Sequence, residues 1–82
     1  MYNIIFTDIA KKQLNKLEKN VQVRIMGILE RIRIKPEKYV KKLVGDQGYR
    51  LRVGDYRVIL DLDKNDLLIL VLKIGHRKNI YK

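Results

Sequence analysis

The chain has no cysteine, no tryptophan, one proline and one histidine among 82 residues. Without thiols, disulfides and thiolate metal sites are excluded. Long hydrophobic runs are also missing. The longest, Leu67 to Leu72, has strand length and falls well short of the roughly 20 residues of a membrane-spanning helix. Met1-Tyr2-Asn3 leads straight into a strand-like run with no basic leader, so a signal peptide is not expected and the expected location is cytoplasmic. Acidic residues are scarce: nine Asp and Glu stand against nineteen Lys and Arg, a net charge of +10. Such a surface concentrates polyanions and speeds their capture. Nucleic acid is therefore the expected partner, held by contacts that weaken steeply with salt, and no membrane is. A merely soluble basic surface would carry the same total, so the placement of the charges has to decide.

What is present is enough for one folded unit. The hydrophobic fraction is 46%, ordinary for a globular chain. Its length allows one domain, residues 1–82, with one modest core. Tyr2 to Phe6 reads as a short strand. Thr7 or Asp8 offers a helix N-cap, and Ala10, Leu14, Leu17 and Val21 follow at helical spacing. Asn20 offers a second N-cap, before the stripe Ile25, Ile28, Leu29 and Ile32. Pro36 ends that helix. Residues 36–47 form a lysine-rich connector. Beyond it the period becomes alternating, with strands over 48–53, 56–62 and 67–75. The expected fold is α+β, in the order β-α-α-β-β-β. A helical hairpin packs on one face of a mainly antiparallel four-stranded sheet.

Gly54-Asp55 suits a two-residue type II′ turn. That register pairs Val53 with Tyr56, Arg52 with Arg57, Leu51 with Val58 and Arg50 with Ile59. Tyr49, Leu51, Val53, Tyr56, Val58 and Leu60 then share a core face, and Arg50, Arg52 and Arg57 share the other. Like charges directly opposite on neighbouring strands destabilise a sheet. Three arginines converging on one face therefore point to an anion site rather than to the alternative, a solvated outer face whose arginines merely keep the sheet soluble. Leu67 to Leu72 is apolar on both faces, which marks a central strand with the Tyr2–Phe6 strand on its far side. Leu68, Leu70 and Leu72 would then join the arginine face as an apolar patch, covered either by a protein partner or by this chain's own connector or tail. In the tail, His76 is the one side chain expected to titrate near neutrality unperturbed, in a structural or a proton-transfer role. Tyr81 either stacks on a base or donates its hydroxyl, or else frays with the terminus.

The hairpin Tyr49-Arg50-Leu51-Arg52-Val53-Gly54-Asp55-Tyr56-Arg57-Val58-Ile59 and the ending Ile74-Gly75-His76-Arg77-Lys78-Asn79-Ile80-Tyr81, in this element order, resemble the RelE/ParE toxin superfamily over essentially the whole chain. The ending looks more like the RelE branch, especially its compact archaeal and bacterial members, than the gyrase-poisoning ParE branch. The resemblance implies a toxin that enters the ribosomal A site and cuts mRNA there. It also implies a cognate antitoxin, acidic and helical, that wraps and silences the toxin. Family catalytic positions map onto Arg50, Arg52, Arg57, Arg77 and Tyr81. The first two are often lysine in relatives, and arginine cannot easily serve as a base, so here their role is electrostatic.

RNA brings its own nucleophile, the 2′-hydroxyl. No metal or cofactor is expected, because alternation separates Asp55, Asp61, Asp63 and Asp66. Arg50, Arg52 and Arg57 are expected to clamp the phosphate. Arg77 is expected to serve the leaving 5′-oxygen. Tyr81 is expected to be the base or a stacking partner, with His76 as substitute acid or base if Tyr81 is too mobile. The rival expectations are a ParE-like topoisomerase inhibitor, a non-catalytic basic nucleic-acid-binding module, and a degenerate toxin that keeps only antitoxin binding.

Overall fold

A computed structural model describes residues 1–45 and 48–80. Strand β1 (Asn3–Phe6) leads into helix α1 (Asp8–Asn15), and helix α2 (Lys19–Arg31) returns. A 3₁₀ turn at Pro36–Lys38 precedes strands β2 (Lys41–Lys42), β3 (Tyr49–Val53), β4 (Tyr56–Asp63) and β5 (Leu68–His76). The sheet order is β1-β5-β4-β3-β2, with β1 parallel to β5 and every other pair antiparallel. The class is the expected α+β, but among the described residues the sheet has five strands rather than four. The extra strand comes from the lysine-rich connector, where Lys41 and Lys42 pair with Arg50 and Tyr49.

Local chemistry sets the helix ends. Thr7 is the N-cap of α1: its Oγ1 accepts from the amide of Ala10 at 3.1 Å and donates to Leu72 O at 2.9 Å. Asp8 follows in the first turn, where a carboxylate favours the helix dipole. Asn20 is not the cap of α2. The helix begins one residue earlier, at Lys19, and Asn20 Oδ1 accepts from Val21 N within its first turn. Val21 therefore belongs to α2 rather than to the stripe of α1. Helix α2 ends at Arg31, ahead of Pro36, which opens the 3₁₀ turn instead.

Ala10, Ile25, Leu29 and Ile32 come down from the helices onto Leu51, Val53, Val58, Leu60, Ile69, Val71 and Ile74 of the sheet. All are buried. Each large side chain among them contributes about 1.5–3 kcal/mol of burial. The β3–β4 register is the expected one, residue for residue, and Gly54 has φ +59, as the first central position of a II′ turn requires.

The β4–β5 ladder contains a bulge. Ile59 pairs with Lys73 but Leu60 pairs with Val71, which leaves Leu72 as the extra residue. Its side-chain alternation is thereby reversed along β5. Leu68 and Leu70 keep the side of Asp63 and Asp61, the arginine side. Past the bulge, Gly75 falls opposite Arg57 and His76 opposite Tyr56. The bulge is anchored to α1, for Gln13 Oε1 accepts from Ile74 N at 2.7 Å.

Candidate nucleic-acid interface

Antiparallel residues directly opposite one another share a face. Two rows of cations therefore cross the side of the sheet away from the helices. One runs Lys41, Arg50, Ile59, Lys73, and the other Arg52, Arg57, Gly75. Lys41, Arg50, Arg52 and Arg57, together with Tyr39, line an open groove of about 180 Å³. Arg50 and Arg52 are exposed and Arg57 is half-buried. Among the described residues none of the four cations pairs with a carboxylate; the ion pairs are Arg33–Glu30 and Arg77–Asp55.

The groove is held from below. Arg57 Nη1 donates to Gly54 O at 2.8 Å and to Tyr56 O at 2.9 Å. Its guanidinium is thus braced by the hairpin turn, with its remaining donors free of these bonds. The Lys41–Arg50 and Arg52–Arg57 juxtapositions each cost the sheet several tenths of a kcal/mol or so. An anion in the groove would reverse that sign.

The structure does not gather every expected site residue there. Arg77 stands beside the same turn but outside the groove lining. Its amide donates to Asp55 O at 2.8 Å, and its Nε lies 3.8 Å from Asp55 Oδ1. Both side chains are more than half exposed, so that ion pair is weak. His76 is not brought to the groove. The bulge turns it to the helix side, where its ring meets that of Tyr56 edge-on at 5.5 Å and its Nδ1 accepts from Lys78 N. Tyr81 lies outside the described residues.

The tail reaches the arginine side one residue earlier. Ile80 is buried, and its Cδ1 lies 3.1 Å from where a Cβ on Gly75 would stand. Part of this chain thus covers the groove-side surface at Gly75, while Ile5 stays exposed and Leu68 and Leu70 half-buried at the other end. Among the described residues no three His, Asp or Glu side chains converge as metal ligands. Asp63 is occupied in capping the next turn, accepting from Asn65 N and Asp66 N. No helix among the described residues is long and apolar enough to cross a membrane.

Tyr39 and Lys41 were not foreseen from sequence. They reach the groove because β2 aligns Lys41 with Arg50, and Tyr39 precedes Lys41 by two residues.

A sequence model described as the ParE toxin of type II toxin–antitoxin systems, parDE, matches residues 4–81. The chain belongs to that toxin family. Within the wider RelE/ParE superfamily its similarities run to RelE proteins. Toxin RelG of Mycobacterium tuberculosis is 25% identical over 85 residues, spanning 99% of this chain and 97% of the relative. The archaeal RelE–RelB complex from Pyrococcus horikoshii is 29% identical, with a TM-score of 0.77 over 95% of this chain and 97% of that one. The toxin–antitoxin complex RelBE2 of M. tuberculosis shares the fold at a TM-score of 0.85, with 24% identity over 93% of this chain and 98% of that one. The family's two-helix, mixed-sheet architecture is thus the one that carries the cationic groove.

Proposed function

We propose that this toxin is a ribosome-dependent endoribonuclease that cuts mRNA in the A site and so inhibits translation. The observation that carries the reading is the groove itself. Three arginines and a lysine from three strands line one cavity, unpaired with acids among the described residues. Such an arrangement destabilises the free protein and suits a group that gains negative charge.

In the proposed reaction the RNA 2′-oxygen attacks the adjacent phosphorus. A 2′,3′-cyclic phosphate forms, the bond to the 5′-oxygen breaks, and that oxygen leaves as a hydroxyl after protonation. Arg50, Arg52 and the braced Arg57 stabilise the dianionic phosphorane, an effect of about 3–4 kcal/mol for one well-placed donor. Arg77, released from its weak contact with Asp55, neutralises the leaving oxygen. Tyr81, as its phenolate, takes the 2′-proton, and a water molecule supplies the proton that the leaving 5′-oxygen takes up. Arginines that stay protonated leave the chain without a strong base of its own on these strands. The ribosome supplies the alignment of the 2′-hydroxyl instead. The solved relatives from P. horikoshii and Methanococcus jannaschii were seen with RelB. We assign this toxin a partner of the same kind, an acidic helical antitoxin that covers the groove and works in the cytoplasm with it.

Controlled expression followed by mapping of mRNA ends tests the reading. Cuts within codons of translated messages, absent with Arg57→Ala, are expected. DNA damage without mRNA cuts would replace it with topoisomerase inhibition, and strong cleavage of naked RNA would remove the ribosome from the scheme.

A further inference from the structure

The cations of the groove account for a phosphate but not for Tyr39. Phe6, Tyr49 and Tyr56 pack against the core, and Tyr2 is part of it. Tyr39 is the aromatic side chain among the described residues that does not, and it is 51% exposed. An isolated exposed aromatic needs no explanation. This one lines the same groove as Lys41, Arg50, Arg52 and Arg57. It is also rooted on rigid backbone. Pro36 is buried, the Tyr39 amide donates to Pro36 O at 3.0 Å, and Val40 packs on the core. Lys41 then enters the ladder opposite Arg50. An aromatic face fixed beside a cationic track is the arrangement that grips unpaired nucleic acid, the charges following the backbone and the ring stacking a base.

We propose that Tyr39 is the stacking platform for one unpaired base of the RNA strand whose phosphate lies on Arg50, Arg52 and Arg57, and that Lys41 neutralises the neighbouring phosphate. The proposal rests on the RNA-cleaving reading and adds a nucleotide subsite to it. Tyr39 takes no part in the proton transfers. Its role is to hold the strand in register, and a base already paired in a duplex cannot occupy it.

The test is binding of a fluorescent single-stranded RNA hexamer at low salt, beside the same hexamer made abasic at every position. Tyr39→Ala is expected to weaken binding of the base-bearing strand by about 5- to 150-fold, the range for one lost base stack. It should leave the abasic strand bound as by the unaltered chain. Tyr39→Phe, which keeps the ring, should bind within about twofold of the unaltered chain, since stacking needs the π-face rather than the hydroxyl. Lys41→Ala should weaken both strands alike and flatten the logarithmic salt slope by about 1. Thermal melts of the variants check that each is folded.

Equal binding of the base-bearing strand by Tyr39→Ala and the unaltered chain would overturn the proposal. So would equal losses on both strands, or no measurable binding by the unaltered chain. The outcome is separable from the nuclease reading. If Arg57→Ala still cuts ribosome-bound mRNA, catalysis is misassigned, while the base-dependent loss at Tyr39 would stand.

Discussion

On the helix side of β3 and β4, Leu51, Val53, Val58 and Leu60 are at most 3% exposed. On the other side of the same strands, Arg50 and Arg52 lie open to solvent and face like charges. The first side is arranged for stability. The second gives some up, and the residues that give it up are those that line the groove. Burial explains the first face and, on the second, Ile59; it does not explain the clustered arginines, whose repulsion an anion would offset.

Mutations on the two faces should therefore behave in opposite ways. Leu60→Ala, at the centre of the core, should cost about 2–5 kcal/mol in urea denaturation. A cost below 1 kcal/mol would mean that the core face is less tightly packed than described. Arg57→Ala should slow cleavage by roughly 100- to 1,000-fold, as for loss of one donor to developing charge, with little change in the denaturation midpoint. A large midpoint shift would make Arg57 a structural residue. Gln13→Ala leaves Ile74 N without its acceptor at the bulge and should cost about 1–3 kcal/mol. Exchange of that amide, followed by NMR, should quicken; unaltered protection would show the bulge is held by other contacts. Arg52→Gln is the smallest and the most pointed case. It should raise stability by about 0.2–1 kcal/mol by removing a like-charge pair, while weakening RNA binding and flattening the salt slope by about 1. Loss of stability would break the comparison between the faces.

Much of this was legible in the sequence, for identifiable reasons. Gly54 at the first position of a two-residue turn dictates the β3–β4 register, and the register dictates which face Arg50, Arg52 and Arg57 share. Leu67 to Leu72, apolar throughout, marks β5 as central. Two features were hidden. A two-residue strand has no period to read, so β2 was invisible, and Tyr39 and Lys41 with it. The Tyr39-x-Lys41 alternation is a signal only once Lys41 is known to pair with Arg50. The bulge at Leu72 was the other. Nothing in an unbroken apolar run announces an extra residue, yet that residue exchanges the sides of Gly75 and His76. The histidine consequently sits against Tyr56, and the glycine provides the seat for Ile80.

The parallel pairing of β1 with β5 has a consequence for how the protein is born. Thr7 caps the first helix while bonding to Leu72, 65 residues further along the chain, and among the described residues β1 has no strand partner but β5. During synthesis β1 must wait, its edge unsatisfied, until β5 has emerged. Contacts this distant in sequence slow folding. A message broken before the codons of β5 would yield a chain that cannot close its sheet, so prematurely ended copies of this toxin should be inert.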